Sequence, residues 1–226
     1  VYDSHRQRIV LFGGSATSET WEWDGTTWTR RFPSVSPPPR NDHGMAYDSA
    51  RQRVVVFGGL PQLWPAPPLG DTWEYDGTTW QRRTPPTSPT PRRSFAMTFD
   101  PVRGVVLLHG GANNGGKPDT WEYDGTTWTQ RFPANNPRRE EHAMVFDAQR
   151  ARVMMFGGRD GGATFTETLE WDGSDWVQRP TTINPPPRGN FSLACDPRRR
   201  RTVLFGGFSF SSGLLGDTWE WDGTNW

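Results

Sequence analysis

Apolar residues in this chain fall in short runs, and the same order of runs returns five times across its 226 residues. Val54-Val55-Val56-Phe57 is one such run, closed by Gly58-Gly59; its counterparts close at Gly13-Gly14, Gly110-Gly111, Gly157-Gly158 and Gly206-Gly207. A continuous apolar run this short predicts a strand covered on both faces. The glycine pair predicts a close backbone approach, or a positive φ that a Cβ would obstruct. After a variable loop comes a second pattern, TWEYDGTTW at 72–80, with copies at 20–28, 120–128, 168–176 and 218–226. Its Asp-Gly step is a strong short hairpin signal, because both residues tolerate the left-handed conformations of a primed turn.

The second repeat shows how these pieces make four strands. Residues 40–48 lead into strand a, a turn at 49–53 reverses the chain, and strand b is 54–57. Strand c is 72–75, strand d runs from about 80 to 83, and a proline-rich connector at 85–91 leads to the next repeat. The 21 prolines keep almost entirely to the connectors and to the loop 60–70. Proline cannot donate to a sheet ladder, so this placement agrees with the strand boundaries. Successive glycine pairs lie 45 to 52 residues apart and the closing tryptophans 48 to 52. A period near 50 carrying four strand signals predicts an all-β propeller, one four-stranded antiparallel blade per repeat. The repeats are approximately 1–39, 40–91, 92–137, 138–187 and 188–226, in a single domain, since a blade buries its faces only against its neighbours.

The glycine pair, the aromatic-plus-Asp cassette, the closing tryptophan and the PR-x-x-H-x-M lead into strand a together resemble the kelch repeat, over the whole chain. The resemblance implies strand a nearest the axis, strand d outermost, and a ring closed by strands from both termini. Val1-Tyr2-Asp3 aligns with Ala46-Tyr47-Asp48, and the last cassette stops at Trp226. The first blade is therefore expected to lack most of its inner strand and the last to lack part of its outer strand. The expected architecture is a small five-bladed ring with one weakened blade, against the alternative of a fragment of a larger propeller. The unfinished blade is an expected edge for self-association.

Composition narrows the function classes. With 25 basic and 25 acidic residues the chain lacks the basic excess of a nucleic-acid or membrane-surface binder. No apolar stretch approaches the roughly 20 residues that span a bilayer. All but one of the basic residues are arginine (Lys117 is the exception), which looks like a high-GC bacterial coding bias; separately, the localisation expected is secreted or extracytoplasmic in a bacterium. The single cysteine, Cys195, excludes an internal disulfide and any multi-cysteine zinc site, and it replaces Tyr47, Phe99 and Phe146 at an apolar repeat position.

Most of the chemistry-bearing residues sit at repeat positions and are expected to be structural. The cassette aromatics, with Trp23 and Trp171 exchanging for Tyr75 and Tyr123, are expected to pack between blades. Arginines 6, 8, 51, 53, 103, 150, 152 and 198–201 follow an Asp in each a–b turn and are expected to form local and inter-blade pairs. His43 and His142 exchange with Phe95 and Phe191, His109 replaces a Phe, and His5 lies in a turn. Copper oxidases built on kelch propellers combine tyrosines, histidines and a cross-linked cysteine, whereas Tyr2, Tyr47, Tyr75 and Tyr123 fall on repeat positions away from Cys195. Glu140-Glu141 is a carboxylate pair of the kind that serves acid–base work, with no partner evident. No cofactor is expected.

Candidate binding residues lie where the repeats diverge. The b–c loops contribute Trp64, Asn113, Asn114, Asp160, Phe165 and Phe210, on the face they share with the connectors. In kelch proteins that bind acidic peptides, arginines at the start of strand a reach the ligand; the resemblance carries that possibility to Arg40, Arg92, Arg138 and Arg188. The function expected is a non-catalytic scaffold that binds a protein or peptide through this loop-rich face. The alternatives are a carbohydrate-binding propeller, with Trp64 or Phe165 stacked on a sugar, and a domain of a kelch-type enzyme. Neither nucleic acid nor membrane insertion is expected.

Overall fold

The computed structural model describes residues 1–14, 17–62 and 65–226, and the chain is an all-β propeller of five blades. Blade 2 is built from Gly44–Asp48, Arg53–Phe57, Thr72–Tyr75 and Trp80–Arg83, each antiparallel to the next. Blade 3 repeats this with Ala96–Asp100, Val105–His109, Thr120–Tyr123 and Trp128–Arg131, and blade 4 with Ala143–Asp147, Arg152–Phe156, Thr168–Trp171 and Trp176–Arg179. Blade 1 has only Tyr2–Asp3 as its inner strand, before Arg8–Phe12, Thr20–Trp23 and Trp28–Arg31. Blade 5 has three strands, Ser192–Asp196, Arg201–Phe205 and Thr218–Trp221.

The glycine pair at the end of strand b answers two constraints at once. Gly58 and Gly59 have φ of +61° and +98°, and a Cβ on either would stand 2.7 Å from the Arg92 carbonyl or 2.6 Å from that of Asn41. The Asp-Gly hairpin works differently from the expected primed turn. Gly77 alone takes a positive φ, while the Asp76 carboxylate accepts from the Thr78 amide, the Thr78 hydroxyl and the Thr79 amide at 2.6–2.9 Å. The aspartate acts through its side chain rather than through a left-handed backbone.

Each blade meets the next through one repeated junction. The aromatic that ends strand b is held between two rings of the following blade. Phe12 lies 4.9 Å from Trp80 and 5.7 Å from His43, centroid to centroid; Phe57 sits likewise between Trp128 and Phe95, His109 between Trp176 and His142, and Phe156 between Trp226 and Phe191. Four of the five closing indoles also donate backward, Trp80 to Thr20, Trp128 to Thr72, Trp176 to Thr120 and Trp226 to Thr168, at 2.9–3.1 Å. Turn arginines add a third contact: Arg6 binds Asp3 and Glu22 of its own blade and lies over the Tyr75 ring of the next. Trp80, Trp128, Trp176 and Trp226, the rings of Tyr75, Tyr123 and Trp171, and the turn arginines Arg6, Arg51 and Arg103 are thus inter-blade parts.

Among the described residues four such junctions are present, and the fifth is not. Trp28 is 43% exposed where Trp128 is 1%, and Phe205 is 57% exposed where Phe57 is 0%. Ile9 and Leu11 of blade 1, and Thr218 and Glu220 of blade 5, are exposed on the same two surfaces. The expected closure between the last and first blades is therefore not made. Among the described residues blade 5 has three strands, and Trp226 packs on blade 4.

This difference between equivalent positions is measurable. Thr72→Val deprives the buried Trp128 indole of its acceptor and should cost about 1–3 kcal/mol in urea unfolding. Thr218→Val, in the same repeat position but exposed, should change stability by less than about 0.5 kcal/mol.

Candidate functional site

The loop-rich face is a second tier laid over the blades. In blades 2 to 5 the b–c loop bonds to the segment leading into strand a of its own blade: Arg40–Asn41 pairs with Leu60–Pro61, and Arg93, Glu140 and Gly189 bridge to Ala112, Arg159 and Phe208. These bonds hold variable loops on a rigid base, an arrangement suited to recognition.

The arginines expected to reach a ligand from this face are instead internal ties. Arg40 donates to the Gly58 carbonyl at 2.9 Å and grips Asp71 through both terminal nitrogens at 2.8 and 2.9 Å. Arg92 does the same with Gly110 and Asp119, and Arg188 with Gly206 and Asp217. All three arginines are at most 1% exposed. Burial alone would raise the Asp71 and Asp119 carboxyls, but the arginine bonds outweigh it and hold both below the ordinary range. The second oxygen of each aspartate also takes the indole N–H of Trp73 or Trp121 at 2.6–2.7 Å. A forked donor saturated in this way ties the glycine pair to the start of strand c and has little left for a ligand.

In the fourth repeat the residue in that position is Arg139, not Arg138. Arg139 is buried and Arg138 exposed. The tie is altered throughout: Glu167 replaces the aspartate and bonds Arg139 once, at 2.8 Å, and Leu169 replaces the tryptophan. Nε and Nη1 of Arg139 have no protein partner, and the guanidinium lies 3.4 Å from the centroid of Phe165. One face of Phe165, expected to stack on a sugar, is thereby taken.

The other predicted residues divide between a cleft and its rim. A cleft of about 530 Å³ opens between the loops of blades 2, 3 and 4, lined by Leu60, Pro65, Pro67, Asn113, Asn114, Arg93, Glu140 and Arg159. Asn113 is fixed by a 3.0 Å bond from its amide to the Pro91 carbonyl, and Asn114 takes a φ of +53°. Asp160 is half-buried on the short pair Arg159–Asp160 with Ala163–Thr164. Phe210 is 65% exposed, 5.5 Å from Phe208 and 5.7 Å from the Arg159 guanidinium, so it extends the cleft toward blade 5. Trp64 lies outside the described residues. Arg93 and Arg159 were missed by sequence reading, because neither departs visibly from a loop pattern that has no repeat to compare with.

Glu140 and Glu141 are both engaged by Arg159, at 3.4 and 2.7 Å, which ties up the pair as a proton acceptor. Among the described residues no group of three or more His, Cys, Asp or Glu is placed to hold a metal ion. His43, His109 and His142 sit in the junctions, and burial pushes each below its ordinary range, to about 4 for His43 and His109. His109 is held between the Thr120 hydroxyl and the Pro137 carbonyl, both at 2.8 Å. Cys195 lines the axial channel with Met45, Met97, Met144 and Leu193, and burial raises its thiol.

No family model matches the chain, and no curated protein matches it.

Two outcomes follow from these side-chain roles. Arg92→Ala should cost about 3 kcal/mol or more in urea unfolding, because it strands Asp119, while Arg138→Ala should stay within about 0.5 kcal/mol of the parent. In acid, an unfolded imidazole takes its proton near pH 6.5, whereas His43 and His109 resist until about 4 and burial holds His142 well below its ordinary range too. The stability they contribute is complete above pH 6.5 and is lost as pH falls from there toward 4, above the window in which the Asp ties titrate. A series of thermal melts should show that limb, and His142→Phe, which installs the residue found at Phe95 and Phe191, should make it shallower.

Proposed function

We propose that the chain is a kelch-type propeller that serves as a non-catalytic recognition scaffold, binding a protein or peptide segment in the loop-face cleft. The observation that carries this reading is the cleft's make-up: prolines and Leu60 from the loop of blade 2, asparagines from the loop of blade 3, and both signs of charge at Arg93, Glu140 and Arg159. An extended peptide carries alternating apolar and polar groups along a backbone rich in donors and acceptors, and a cleft of this size and mixed lining suits it. The exposed Phe208, Phe210 and Leu214 supply an apolar rim. The glycan reading is weakened at Phe165, whose ring is taken on one face by Arg139.

Peptides selected from a displayed random library against the folded protein test the proposal. Binding should weaken at least about tenfold, roughly 1.4 kcal/mol, on Phe210→Ala or Arg93→Ala with the melting temperature unchanged. Selected peptides that bind these variants as well as the parent, or that map to the Asp-Gly turn face, would refute it.

A further inference from the structure

The leads into strand a of blades 2 to 5 converge on the loop face around a second, smaller well of about 170 Å³. Each lead contributes a polar residue and then a ring: Asp42-His43, Ser94-Phe95, Glu141-His142 and Asn190-Phe191. The four polar residues all hold a left-handed backbone, with φ between +52° and +60°. They are stitched blade to blade: the Ser94 amide donates to the Asp42 carbonyl, that of Glu141 to Ser94 and that of Asn190 to Glu141, at 2.8–3.1 Å. None of the four is glycine, so the conformation is strained, and these bonds hold the rim in place before any ligand arrives. Below the rim the rings alternate from blade to blade, imidazole then phenyl. His142 is 6% exposed, and neither of its ring nitrogens has a protein partner among the described residues; Nδ1 of His43 has none either. Burial keeps these imidazoles neutral, so His142 holds one unused acceptor whichever nitrogen carries its proton.

We propose that this well binds a primary ammonium group, carried by a lysine side chain or by a free amine. At the rim three carboxylates, Asp42, Glu140 and Glu141, face two guanidiniums. Arg159 engages Glu140 and Glu141 at 3.4 and 2.7 Å, while Arg93 stands 4.0 Å from Asp42. One negative charge is left over, which favours a single cation and opposes an anion. Among the described residues no three His, Cys, Asp or Glu converge as metal ligands, so the cation is one held by hydrogen bonds. An ammonium brings three donors and no acceptor, which matches carboxylate oxygens and a free imidazole nitrogen. Phe95 and Phe191 give its methylenes apolar contact and its charge an aromatic neighbour. The small volume suits a compact head on a flexible stem. The well adjoins the cleft, because Ser94 and Glu141 directly follow Arg93 and Glu140. A peptide in the cleft can place a lysine here, yet the site stands apart from that reading, since a free amine meets the same groups.

Nitrogen NMR of the histidine rings tests this, with n-butylammonium chloride, 1-butanol and sodium acetate as separate titrants. Butylammonium should shift the His142 ring nitrogens saturably, with a Kd of about 1–10 mM, and the other two should not. Glu141→Gln should weaken that binding at least about fivefold. Asp42→Asn, at a more exposed position where asparagine tolerates the left-handed backbone, should do the same with the melting temperature unchanged. Among peptides that bind the cleft, exchanging lysine for norleucine should weaken binding by a similar factor if lysine is the source. Butylammonium binding without any lysine dependence keeps the site and identifies a free amine as its occupant. Failure to select any peptide counts against the scaffold reading alone. Equal shifts with butanol or acetate, shifts that never saturate, or undiminished binding by both variants would overturn the ammonium site.

Discussion

The whole arrangement depends on one contact: an aromatic side chain at the end of strand b, held between the closing tryptophan and the axial ring of the next blade. A single blade is a thin antiparallel sheet with two apolar faces, and it has no core of its own. Phe12, Phe57, His109 and Phe156 each join two blades into one packed unit. The indole bond to threonine adds direction to what would otherwise be a non-directional apolar contact, fixing how far one blade can slide past its neighbour. The glycine pair belongs to the same device, because it lets the chain turn out of the junction against a neighbouring carbonyl without a side chain in the way.

The arginine–aspartate tie converts that packing into a platform. It links the glycine pair, the start of strand c and the lead into strand a within blades 2, 3 and 5, beneath the loops that vary. Blade 4 shows what happens when the tie is loosened. A longer acid, a leucine in place of tryptophan and a phenylalanine stacked on Arg139 occur together there, and they adjoin the half of the face that carries Arg159 and Asp160. Divergence in the loops thus reaches one layer down into the scaffold.

Much of this was legible in the sequence because the fold is written five times over. Strand limits, the glycine pair and the inter-blade role of the cassette aromatics all follow from comparing copies. Arg40, Arg92 and Arg188 were legible too, but their role was misread. Asp71, Asp119 and Asp217 precede the cassette in the same three repeats, and this covariation within the chain was the available signal for a buried pair. Arg138 was chosen over Arg139 because two arginines adjoin there and only burial separates them. The exposure of Trp28 was not legible at all: its local sequence matches that of Trp128, and only its place in the ring differs. Loop residues such as Arg93 and Arg159 stay opaque for the opposite reason, since each loop is unique and its partners are set by the fold.

If the junction is the unit of stability, protection should follow the number of neighbours a blade has rather than its sequence. Amide hydrogen exchange, resolved by strand, measures this directly. The account predicts slow exchange for the b strands Arg53–Phe57, Val105–His109 and Arg152–Phe156, which have a blade on each side, and clearly faster exchange for Arg8–Phe12 and Arg201–Phe205. Equal protection of all five b strands would contradict it.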